Sequence, residues 1–342
     1  MTITFSRRRK GLTTARAVVI LVILALIPLA THAVTLKIAT LAPDGTRWMQ
    51  AMRSAGSAVE QQTEGRVKMR FYPGGVMGND RSVLRKMRVG QLHGGAITAG
   101  GLAALFPDIQ IYSLPFAFES FEELDYVRGR MDAEIITGLR KKRLISFGLS
   151  ENGFAYLMSQ APIKTLGDLQ DHKVWSPEGD TISRLAFEAL DVSTIPLPLT
   201  DVLTGLQTSL IDTVAGSPVG AIALQWHTRV RYLTDVPLIY LYATLVIQER
   251  TLNKISPSDR KTLEGILRKA QREVNDGIRR DYEAARDALQ KQGIEFVTPD
   301  QDALAEWRRE VGDAVQAMGR DGLFSLPLWE QIQALKREFR NQ

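Results

Sequence analysis

Apolar positions along this chain switch repeatedly between a period of two and a period of three to four. Val34 to Leu41 alternates, with Leu36 and Ile38 on one face and Lys37 and Ala39 on the other, which predicts a strand. Pro43-Asp44-Gly45-Thr46 turns the chain and supplies an N-cap. A helix follows to about Gln62, with Trp48, Met52, Ala55 and Val59 on its apolar stripe, and Gly65 stops it. Arg66 to Phe71 alternates again. After a Gly-rich loop, Arg81 to Val89 reads as a helix whose strongly basic outer face is solvated. Leu92 to Thr98 is a third strand, and Gly100-Gly101 opens another helix. This βαβαβ beginning predicts a parallel sheet covered by helices on both faces.

Further on, Ile109 to Phe118 carries Pro115 among apolar residues and reads as an irregular buried connection. Phe121 to Arg128 and Ala133 to Lys142 read as two helices. Leu144 to Leu149 and Phe154 to Met158 read as two strands, broken at Asn152-Gly153 where the chain crosses between lobes. Lys173-Val174-Trp175 is β-prone and Pro177 ends it. The next helix places Ile182, Leu185, Ala186 and Ala189 on one face. In open α/β sheets a strand end meeting a helix start is where ligands sit. Trp175 lies at that edge, although an ordinary core role fits it equally. A strand near Thr194 to Leu197, a helix from Thr200 to Ser209, a strand from Ile211 to Ala215 and a helix from Val219 to His227 follow. Val236 to Gln248 reads as a long strand returning to the first lobe. Ser256-Pro257-Ser258-Asp259 starts a helix that meets no strong breaker until about Gln292. At 1.5 Å per residue it is roughly 50 Å long, so it must span both lobes or kink. A short strand and two helices close the chain.

A length of 342 residues allows two domains, and 44% hydrophobic with 24% charged residues is a globular composition. The N-terminus changes that picture. Arg7, Arg8, Arg9, Lys10 and Arg16 precede an apolar run from Ala17 to Ala30 and then Thr31-His32-Ala33. This is the pattern of a cleaved export signal over residues 1–33, with a run short of the roughly 17–25 residues a span needs. An uncleaved anchor is the rival reading. Ser6-Arg7-Arg8 hints at twin-arginine export, but Lys10 and Gly11 fit that motif poorly. The signal holds all the excess charge: the whole chain has 43 Lys and Arg against 38 Asp and Glu, and removing those five basic residues leaves the two balanced. No basic face for nucleic acid is therefore expected. There is no cysteine, which excludes disulfides, thiolate metal sites and a lipid-modified N-terminal cysteine.

Catalytic patterns are scarce. Beyond the signal the histidines are His93, His172 and His227, none at zinc-site spacing. Gly216-Ser217-Pro218-Val219-Gly220 misplaces the serine of a nucleophile elbow by one, and Gly74-Gly75-x-x-Gly78 lacks the lysine of a phosphate loop. No cofactor, metal or catalytic residue is assigned. Two α/β lobes joined by crossing strands suggest a cleft that closes on a ligand by hinge motion.

Several segments together carry a family resemblance: Leu41-Ala42-Pro43; Phe71-Tyr72-Pro73-Gly74-Gly75-x-x-Gly78-Asn79-Asp80; Gly90-Gln91-Leu92; Leu114-Pro115-Phe116; Leu166-x-Asp168-Leu169 leading to Lys173-x-x-x-Pro177; and Leu206-Gln207-Thr208 leading to Ile211-Asp212-Thr213. In these the chain resembles the extracytoplasmic solute receptors of tripartite ATP-independent periplasmic (TRAP) transporters, over nearly all of Val34 to Phe339. The resemblance implies a two-lobed periplasmic binding protein of α/β class, with mixed sheets, hinge strands and a long lobe-spanning helix. It implies a periplasmic, monomeric, non-enzymatic receptor that hands a small organic solute to small and large permease subunits. The expected division is 34–152 plus 237–280 for the first lobe and 153–236 plus 281–342 for the second. Two departures matter. Most such receptors grip a carboxylate with arginine in a Lys-x-Arg-x-Pro segment, and here that position is Trp175. A second arginine of some members falls on or near Ala155. The expected ligand-binding set is Leu41, Thr98, Ala155, Tyr156, Trp175, Leu199 and Ser217, around a ligand that is apolar, aromatic, cationic or otherwise atypical. An exported hydrolase or lyase, or a ligand-sensing receptor using the same cleft, remains the alternative.

Overall fold

The computed structural model describes Met1 and residues 33–342. The expected signal segment therefore lies outside the described residues. Nine strands form one sheet in the order β2 (Val67–Tyr72), β1 (Val34–Thr40), β3 (Gly94–Thr98), β8 (Tyr232–Gln248), β4 (Leu144–Ser159), β7 (Thr213–Gly216), β5 (Val174–Pro177), β6 (Thr194–Leu197), with β9 (Glu295–Val297) paired to β8. β1 runs parallel to β2 and β3, as the βαβαβ pattern predicts, and β5 runs parallel to β6 and β7. These two parallel groups are the sheets of two lobes. The long antiparallel pair β4–β8 belongs to both.

The expected break at Asn152-Gly153 is instead a bend inside one strand. β4 keeps pairing with β8 past it, and the register slips between Ser146 and Leu149, between Glu151 and Gly153, and between Ala155 and Leu157. Bulges bend a strand without ending it. Gly153 has φ +80°, and a Cβ there would lie 2.6 Å from Tyr282 Cδ2. The two helices expected over 121–142 are a single helix, Phe121–Lys141, because Arg128 to Ala133 contains no true breaker and Leu124, Val127, Met131, Ile135 and Leu139 make one buried stripe.

The helix Pro257–Lys291 runs unbroken for 35 residues, close to the expected extent. Ser256 caps it by accepting from the Asp259 N–H, and Pro257 occupies the first turn. Its stripe Leu263, Leu267, Ala270, Val274, Ile278, Tyr282, Ala285 and Leu289 is buried along its length. Its first half closes a core with Leu36, Ile38, Met52, Val59, Phe147 and Leu245. Its second half reaches Tyr156 and Arg286's partner Asp235, 3.0 Å away. The last helix, Leu326–Arg340, holds to the segment 107–141: Asp108 accepts from the Ser325 N–H at 2.7 Å, Glu123 from Arg340 at 2.7 Å, and Ala117 O from Lys336. The tail expected in the second lobe is thus fastened to a segment that the same expected division places in the first. Among the described residues no helix is long and apolar enough to cross a membrane.

Gly153→Ala should destabilise the protein by about 2 kcal/mol or more, from left-handed backbone strain plus the clash with Tyr282. Urea unfolding of the two proteins checks this; an unchanged midpoint would mean that the bend tolerates a side chain.

Candidate functional site

A cleft of about 1340 Å³ lies between the lobes, floored by the crossing strands. Side chains alternate across a strand, so β4 presents Ala155 to the cleft and sends Tyr156 to the other face. Six of the seven expected residues, Leu41, Thr98, Ala155, Trp175, Leu199 and Ser217, line the cleft. Tyr156 does not: its hydroxyl bonds to that of Tyr282, and its ring receives the Arg286 guanidinium at 5.1 Å. It buttresses the long helix and lies outside the cleft lining.

Trp175 is both core and cleft wall. Only 4% of it is exposed, and it packs edge-to-face on Trp226 with centroids 5.4 Å apart. Its Nε1–H donates to Leu197 O at 3.0 Å, so the indole donor is already engaged. Ile239, Leu241, Ile278 and Trp226 extend this apolar surface. The hydroxyls of Ser217 and Thr98 are also engaged. Ser217 Oγ accepts from the Gly220 N–H at 3.1 Å, and Thr98 Oγ1 accepts from the Gly101 N–H at 3.0 Å while donating to Asp80 Oδ2 at 2.6 Å.

Asp80 lines the cleft and was missed from sequence, where it reads as the end of a loop. It is 8% exposed, its Oδ1 has no partner, and burial pushes its carboxyl up to about 6 against the two bonds from Thr98 that favour ionisation. Arg81, Arg85 and Arg88 also line the cleft while staying exposed, so the solvated face expected from sequence borders it. The signal that could have marked Arg81 is its place in the first turn, where the helix dipole disfavours a cation. Arg47, another lining residue, is engaged with Asp281 through bonds of 2.5 and 2.6 Å.

The lobes touch across the mouth. Asn79 Nδ2 donates to Glu178 Oε2 at 2.8 Å, and Thr200 Cγ2 lies 2.8 Å from where a Cβ on Gly75 would stand. The cleft can therefore enclose a small molecule, hold its body on an apolar floor and meet polar groups at the rim.

A family model described as bacterial extracellular solute-binding protein, family 7, matches residues 38–321. The 2,3-diketo-L-gulonate-binding periplasmic protein YiaO of Escherichia coli is 24% identical over 254 residues, covering 72% of this chain and 76% of its own. The sialic acid-binding periplasmic protein SiaP of Vibrio cholerae is 22% identical, covering 80% and 86%. The fold matches a TRAP periplasmic solute-binding protein of Xanthobacter autotrophicus with bound β-D-galacturonate, at TM-score 0.80 and 18% identity, covering 88% of this chain and 99% of that one. It also matches a sugar-acid-binding protein of Advenella mimigardefordensis in complex with galactonate, at TM-score 0.82 and 17% identity, covering 90% and 99%.

The raised Asp80 carboxyl has a signed consequence. The folded chain takes up this proton near pH 6, before the unfolded chain does near 3.8, so this group adds stability as pH falls through that window. Asp80→Asn removes the charge. Its stability relative to the parent should improve by roughly 2–3 kcal/mol between pH 4 and pH 7.5. Urea titrations of both proteins at the two pH values measure it, and a difference that does not change with pH would contradict it.

Proposed function

The chain belongs to the bacterial extracellular solute-binding protein family 7, and from that premise we propose that it is the receptor of a TRAP-type transporter. It captures a small organic solute between its lobes outside the cytoplasmic membrane and delivers it to the permease. It works as a monomer without chemistry of its own. The export signal over residues 1–33 belongs to this reading, as does a division into lobes near residues 152, 236 and 280.

The ligand's character is carried by one observation: the cleft floor holds Trp175 and Ala155, and neither can fork a carboxylate. A buried acid without a cationic partner costs several kcal/mol, so the floor does not grip one. It suits the apolar body of a ligand instead, which meets Ile239, Leu241 and the small exposed part of Trp175. The solved neighbours that hold galacturonate or galactonate support a small organic acid as the broad class, with the acid group held elsewhere than on this floor.

Native mass spectrometry of the purified mature protein should show a retained small molecule. In titrations followed by tryptophan fluorescence, phenylacetate should bind at least about tenfold more tightly than succinate or D-glucuronate, a preference worth about 1.4 kcal/mol. The reverse order would refute the apolar floor while leaving the receptor role standing.

A further inference from the structure

We infer that the acid group of the solute is held at the rim by Arg81, so that the ligand lies reversed, with its apolar body inward and its charge toward the first lobe's helix. The inference rests on the receptor reading above and adds the location of the anion subsite.

Arg81, Arg85 and Arg88 follow one another at i, i+4 and i+7 on the helix Asp80–Arg88, so they share a face, and all three line the cleft. Among the described residues none of the three forms an ion pair. Like charges at i and i+4 repel. The helix C-terminus compensates Arg85 and Arg88, which lie in its last turn, but Arg81 lies in the first turn, where the dipole is unfavourable. Arg81 is exposed, so water meets its guanidinium, and an anion entering the cleft can exchange for that water.

The position of Arg81 shows where the anion fits. Arg81 reaches across the gap to the second lobe, and its Nη2 lies 2.9 Å from where a Cβ on Gly179 would stand. Gly179 has φ +83°, so both backbone and space favour glycine there. The acids on either side form no ion pair with it: Glu178 accepts from Asn79 at 2.8 Å, and Asp180 accepts from the Ser183 N–H at 3.1 Å and hydroxyl at 2.7 Å. Asp80, next in sequence, is turned to Thr98. The guanidinium thus stands between the lobes with its fork unused, on the same cleft as Trp175. A carboxylate there would be held by the guanidinium at the point where the two lobes meet. Arg85 and Arg88, further along the face, would draw the anion in.

The test compares phenylacetate with its neutral isostere phenylacetamide. The wild-type protein should prefer the acid by tenfold or more. Arg81→Gln should abolish that preference while leaving phenylacetamide binding within about twofold, a readout that misfolding would not reproduce. Arg85→Gln with Arg88→Gln should instead lower the association rate and flatten its salt dependence. Equal binding of acid and amide by the wild type, an acid affinity unchanged in Arg81→Gln, or no binding of either probe would each overturn the inference. Native mass spectrometry separates this from the receptor reading: a retained neutral molecule would sink the Arg81 subsite and keep the receptor.

Discussion

The antiparallel ladder between Leu144–Ser159 and Tyr232–Gln248 is the constraint on which the molecule depends. Each lobe's parallel group needs an edge partner, and both find it on this one pair: β3 on β8, β7 on β4. The lobes therefore share backbone hydrogen bonds and not only a surface. A ladder can bend where its register slips but cannot slide freely, since a one-residue slip would turn every side chain to the wrong face. Motion between the lobes is thereby confined to a hinge across the cleft floor, which is the motion a closing receptor needs.

At that bend the chain buries charge. Arg128 donates to Glu151 at 3.1 Å and to Tyr240 at 2.8 Å, and Arg279 of the long helix donates to Glu151 at 3.1 and 3.2 Å and to Asp125 at 2.6 and 2.7 Å. Such a cluster is weak evidence for net stability, because desolvation offsets most of the attraction. Its geometric effect is clearer. Glu151 ties the helix 121–141, the bending strand and the long helix to one point. Glu151 keeps one arginine if either Arg128 or Arg279 is lost, whereas losing Glu151 itself removes an acid partner from both.

Much of this was legible in sequence, because periodicity reports burial and burial follows the sheet. The parallel start, the long helix and the returning strand carry apolar stripes strong enough to read alone. What failed were features decided by distant partners. Asn152-Gly153 looked like a strand break because its reason, the Tyr282 ring against Gly153, lies far along the chain. Tyr156 was placed in the cleft by matching positions in a family, yet its neighbour Ala155 faces the cleft, and strand alternation excludes both from one face. Asp80 and Arg81 stayed hidden because a lone charge next to a loop looks solvated until the second lobe is folded over it.

Trp175 belongs to a larger packing unit. Its ring rests on Trp226, its N–H is satisfied by Leu197 O, and the Trp226 ring fills the space above Gly216 so closely that a Cβ there would stand 2.7 Å from it. Three segments, β5, β7 and the turn at 226–228, have been fitted to one aromatic pair. Interiors packed at this density do not accept a flexible guanidinium in place of an indole without rearrangement. The space around the indole is filled and its N–H is hydrogen-bonded. The apolar floor is thus built into the second lobe's core, which leaves the opposite lobe to supply any charge that the solute requires.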